Sequence, residues 1–141
     1  MNSYQFSDLY IGQTESFTIM ITEQMEDSFR KITGDINPLH EDDEFAKMVG
    51  NNKFPSHVSF GMLTASFYST LAGVYLPGKY SLIHSLNIKF QKPVFAGDHL
   101  MVCGKIVDKQ DELKLIEVKV TMKNQNAQVV SKADMKILVM K

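Results

Sequence analysis

The chain has 141 residues, 44% of them hydrophobic, and a formal net charge of −1. That length predicts one domain, residues 1–141, with enough chain to bury a sizeable core. A near-neutral chain without a basic run offers no footprint for nucleic acid or an anionic membrane. Cys103 is the lone cysteine, so an intramolecular disulfide is excluded. His40, His57, His84 and His99 are scattered, and with one cysteine they do not make a usual zinc site, so no metal is expected. The opening MNSYQFSDLYIG has neither a charged n-region nor an apolar core, so a signal peptide is not expected and a cytoplasmic location is.

In chain order, Glu15 to Ile21 alternates and is rich in β-formers, which predicts a strand. Thr22 is placed to cap a helix running to about Ile32, with Met25, Phe29 and Ile32 on one face. Gly34 suits the left-handed turn that stops it. A second short helix is expected from Pro38 to Val49, its start enriched in acid at Glu41-Asp42-Asp43-Glu44. Ser59 to Tyr75 reads as a long helix inside a stretch, Phe54 to Gly78, that has no Lys, Arg, Asp or Glu. It is apolar on most sides, short for a membrane span, rich in Ser and Thr, and stopped by Leu76-Pro77-Gly78, so a buried soluble helix is expected. Four long strands follow: Tyr80–Gln91, His99–Asp108, Leu113–Lys123 and Gln128–Met140. The expected class is α+β, a long antiparallel sheet wrapped around one central helix.

The segment Gly34-Asp35-Ile36-Asn37-Pro38-Leu39-His40 concentrates the chemistry. Pro38 pushes Asn37 to an extended backbone, and Asn37 is a good cap for a turn that Pro38 begins. That puts Asp35 in the connecting loop and His40 in the first turn of the next helix, where both can face one cleft. A carboxylate and a neutral imidazole are the pair needed to activate water and move a proton near neutral pH. Taken alone, Asp35 and Asn37 serve equally well as a helix stop and a cap, and His40 as a core histidine.

The order of motifs favours the catalytic reading. After Gly-Asp-x-Asn-Pro-x-His come Phe60-Gly61-Met62-Leu63 opening a helix, Leu76-Pro77-Gly78, and Phe90-Gln91-Lys92-Pro93-Val94-Phe95-Ala96-Gly97-Asp98. From about Phe6 to its end, the sequence resembles the MaoC-like (R)-specific enoyl-CoA hydratases and dehydratases, which are hot-dog domains. The resemblance implies reversible syn addition of water to a trans-2-enoyl thioester, giving a (3R)-hydroxyacyl thioester. It implies Asp35 and His40 as the catalytic pair, Asn37 as their support and the backbone N–H of Gly61 as the oxyanion donor. A helix N-terminus suits that last task, since its first N–H groups are unpaired and its dipole is positive. Which of Asp35 and His40 is the formal base stays open.

Two departures stand out. The family usually has His before that glycine, and here Phe60 stands there. The Asn51-Asn52-Lys53 region is slightly longer than usual. His57, three residues before Phe60, is the histidine placed to stand in part for the missing one, although a structural role is the commoner one. Phe60, Met62, Leu63 and Phe67 are the candidates to line the thioester and acyl pocket, a pattern that core packing explains equally well. Cys103, in an alternating strand between Met101 and Lys105, reads as an inert core thiol.

No cofactor is implied beyond a coenzyme A thioester substrate, with an acyl-carrier-protein thioester as its alternative. Two other functions compete: an acyl thioesterase of the same fold, and a non-catalytic acyl-thioester-binding protein. The resemblance to hot-dog domains, which pair through edge strands, implies a homodimer or a further assembly of it, and long strands with an uncovered edge fit that expectation.

Overall fold

The computed structural model describes all residues, Met1–Lys141. Its strands are β1 (Thr14–Met20), β2 (Ser81–Phe90), β3 (His99–Gln110), β4 (Leu115–Lys123) and β5 (Val129–Val139). They form one antiparallel sheet in the order β1-β3-β4-β5-β2. The helices are α1 (Glu23–Thr33), α2 (Asp43–Val49) and α3 (Gly61–Thr70), and α3 runs on as a π-helical turn, Leu71–Tyr75. No helix is long and apolar enough to cross a membrane.

Alternation along the strands decides which face meets α3. Leu100, Val102 and Ile106 of β3, Ile116, Val118, Val120 and Met122 of β4, and Met135 and Ile137 of β5 are buried. They pack against Ala65, Tyr68, Leu71 and Ala72 of the helix. Gly104 lets the helix come close: a Cβ there would lie 2.5 Å from Leu71 Cδ2 and 3.1 Å from Val118 Cγ1. The Tyr68 hydroxyl, wholly buried, is hydrogen-bonded to Ser131 of β5. A buried hydroxyl needs such a partner, and this one ties the helix to the sheet.

The α+β architecture expected from sequence is the one observed, with strand ends moved by a residue or two. Three details differ. The second helix is not continuous from Pro38 to Val49: a 3-10 turn covers Pro38–His40, Glu41 leaves helical geometry at φ −142°, and Asp42 caps α2 by accepting the Phe45 N–H at 3.0 Å. The acidic run therefore supplies the cap, Asp42, as well as the expected acidic first turn, Asp43 and Glu44. The long helix begins at Gly61 and is not buried all round, since Met62 is 63% exposed. Cys103 is half-buried on the outer side of β3, because the inward positions of that strand are Leu100, Val102, Gly104 and Ile106.

Candidate active site

Local chemistry shapes the loop between α1 and the 3-10 turn. Gly34 ends α1 at φ 71°, a left-handed conformation that costs most residues energy and glycine little. The Asp35 carboxylate then accepts the Asn37 N–H at 3.1 Å, and the Asn37 side-chain oxygen accepts the Leu39 N–H at 3.0 Å. These two side-chain-to-backbone bonds hold the reversal that carries His40. Asp35 is exposed and His40 half-buried.

His40 Nδ1 lies 2.6 Å from the Val58 carbonyl oxygen. A carbonyl can only accept, so Nδ1 carries a proton, and in the neutral ring Nε2 is left as the acceptor. The ring packs on Phe60 with centroids 4.2 Å apart, and Phe60 packs on Phe29 at 5.1 Å. Arg30 Nη2 donates to the His40 carbonyl at 3.0 Å, and its guanidinium stands 5.7 Å from the Phe60 ring centroid. Below this layer lies Glu26, wholly buried, which accepts the Phe60 N–H at 3.3 Å.

Phe60 is the N-cap residue of α3 and offers no side-chain cap. The first N–H groups of a helix have no acceptor within it, so those at Gly61 and Met62 are available to a ligand. A cavity of about 270 Å³ collects Asp35, His40, Phe60, Gly61 and Met62, with Phe29 and Thr33 completing its wall. His40 and Gly61 also border a second cavity of about 350 Å³, which Phe54, Thr64, Phe90, Lys92 and Ser131 help to line. A Cβ on Gly61 would sit 3.3 Å from the Phe90 ring, so glycine keeps that approach open.

Asp35, His40, Gly61, Phe60 and Met62, named from sequence, therefore meet in one place. Asn37 stands behind them in the loop. Leu63 and Phe67 do not join them: they line an open apolar groove of about 680 Å³ between α1 and α3, with Met25, Phe29 and Ile32. Phe29 borders both spaces. His57 does not replace the histidine missing at position 60. Its ring points to Asp43 at 2.7 Å and to Glu23 at 3.2 Å. Sequence reasoning missed Val58 and Arg30, and named Phe90 only as part of a motif and not as a site residue. Val58 acts through a backbone carbonyl and leaves no side-chain signature. Arg30 and Phe90 gain their positions only through long-range packing.

An antiparallel sheet around an apolar helix, with Asp, His and a helix N-terminus at one cavity, is the arrangement of a hot-dog domain. The chain belongs to the MaoC-like family, since the model of the MaoC like domain matches residues 10–128. It is 28% identical over 118 residues to an (R)-specific enoyl-CoA hydratase of Rhodospirillum rubrum, covering 84% of this chain and 80% of that one. It is 34% identical over 103 residues to a 3-hydroxybutyryl-CoA dehydratase of Methylorubrum extorquens, covering 73% and 64%. The solved structure of R-hydratase PhaJ1 from Pseudomonas aeruginosa superposes with a TM-score of 0.88 at 25% identity, covering 97% of this chain and 86% of that one.

Proposed function

We propose that this protein catalyses (R)-specific hydration of trans-2-enoyl-CoA to (3R)-hydroxyacyl-CoA, and the reverse dehydration. The observation that carries the reading is the single cavity shared by Asp35, His40 and the N-terminus of α3 at Gly61. The activities for which the Rhodospirillum and Methylorubrum relatives are named support it. The thioester carbonyl accepts a hydrogen bond from the Gly61 N–H, where charge developing on that oxygen is stabilised. A water held between Asp35 and His40 gives its oxygen to Cβ, and a proton is delivered to Cα on the same face. Asp35 is held by its bond from the Asn37 N–H, and His40 by the Val58 carbonyl, so neither has to search for its orientation.

The acyl carrier is coenzyme A or an acyl-carrier protein, and the residues supply the acid–base groups without a prosthetic group. Phe60 and Met62 border the reacting centre, while Leu63 and Phe67 line the neighbouring apolar groove that suits an acyl chain. The protein is proposed to act in the cytoplasm as a homodimer. Leu82, Leu86 and Phe90 are exposed along the edge strand β2, and pairing of that edge with a second copy would cover them. Loss of the enoyl absorbance of crotonyl-CoA tests the reaction. Release of free thiol instead would assign a thioesterase.

A further inference from the structure

His57 has carboxylates on both sides. Its Nδ1 lies 2.7 Å from Asp43 Oδ1, and its backbone N–H donates to the same oxygen at 2.8 Å. Its Nε2 lies 3.2 Å from Glu23 Oε1 and 3.3 Å from Glu23 Oε2. Glu23 opens α1 and Asp43 opens α2, so the ring ties both helices to the segment before α3. A neutral imidazole has one N–H and serves one of these acids; the imidazolium serves both. The next residue, Val58, donates its N–H to the Leu39 carbonyl at 2.9 Å, and its own carbonyl holds His40 Nδ1.

We infer that His57 is a positioning residue: bridging Glu23 and Asp43 as an imidazolium, it pins the segment whose Val58 carbonyl orients His40, and loss of its proton loosens His40. The inference rests on the hydratase reading for its catalytic consequence, but not for its structural one. The charged groups facing the ring are Glu23 from α1 and Asp43 from α2. Lys47 lies near Asp43 but is engaged with Glu44 at 3.0 Å. Partial burial, the largest single influence, disfavours the charged ring, yet the hydrogen bond to Asp43 and the charges of Glu23 and Asp43 together outweigh it and raise the pKa above 6.5. When the proton leaves, the shorter contact to Asp43 keeps the remaining N–H. The Nε2 lone pair then faces a carboxylate, and the tie to α1 opens.

The test follows the ring nitrogen resonances of His57 and His40 against pH by NMR, with kcat for crotonyl-CoA measured over the same range. The proteins compared are wild type, E23Q and H57Q. In wild type, His57 is expected to lose its proton above pH 6.5. The His40 Nδ1–H signal weakens and kcat falls several-fold over that same step. In E23Q the His57 titration and the linked His40 change move together to lower pH, and in H57Q the step disappears. His40 resonances that stay unchanged while His57 titrates would overturn the inference, as would a step that persists in H57Q. The NMR result decides it even if crotonyl-CoA is not turned over, so failure of the hydratase reading is seen separately.

Discussion

The imidazole Nδ1 of His40 and the carbonyl oxygen of Val58 stand 2.6 Å apart, although 18 residues separate them in the chain. That bond decides which ring nitrogen is free to face water. Replacing His40 by Ala removes the free nitrogen but leaves the Asp35–Asn37 turn in place. The expected loss in kcat is about 10²–10⁴-fold, the usual contribution of a positioned acid–base group. Steady-state hydration kinetics beside a circular dichroism spectrum check it, the spectrum remaining that of wild type.

Phe60 is 2% exposed and lies between His40, Phe29 and the Arg30 guanidinium. Truncation to Ala leaves a cavity under the site that rigid neighbours close only in part. The expected loss of stability is about 3–5 kcal/mol, read by urea unfolding. Activity falls with it, because the ring that backs His40 is gone.

Gly104→Ala presses a methyl against Leu71 Cδ2 at 2.5 Å and Val118 Cγ1 at 3.1 Å. Overpacking at the contact between α3 and the sheet is expected to cost about 1–3 kcal/mol. The comparison is Gly34→Asn, whose Cβ would meet nothing within 4 Å and whose residue type tolerates the φ of 71°. Unfolding midpoints of the two variants should therefore separate clearly, with Gly104→Ala the lower.

The ion contacts of His57 also carry a pH dependence of stability. The folded-state pKa is raised above the ordinary imidazole value of 6.5. The contribution is therefore complete below 6.5 and is lost as pH rises through the folded value. Glu23 and Asp43 have side chains 61% and 54% exposed, so screening keeps the effect small. Thermal unfolding of wild type is expected to lose a small advantage over H57Q between mildly acid and alkaline pH, about a few degrees at most, and less in high salt. An advantage that grows with pH would contradict this sign.

Sequence made the architecture legible because its signals are local. The helix before Gly34, the uncharged stretch around α3 and the alternating strands each follow from periodicity and punctuation. Asp35, His40 and Gly61 were legible for a different reason: their motifs stand in a familiar order, and the fold brings them to one cavity. What sequence hid has two sources. The break at Glu41 is local, because Asp42 takes the cap of α2 that a continuous helix from Pro38 would have buried in its first turns. The turning of His57 towards Glu23 and Asp43 depends on distant segments, since it needs α1 and α2 already in place. Leu63 and Phe67 share a helix with Met62 but lie on a side that faces α1, so they line the groove and not the cavity.

The most direct measurement is crotonyl-CoA hydration, followed by loss of the enoyl thioester absorbance, by wild type and Asp35→Asn side by side. The account predicts turnover by wild type and a fall of about 10²–10⁴-fold in the variant with its fold intact. Turnover left within a few-fold of wild type in Asp35→Asn would contradict the assignment of Asp35, and no turnover by wild type on either a coenzyme A or a carrier-protein thioester would contradict the hydratase reading.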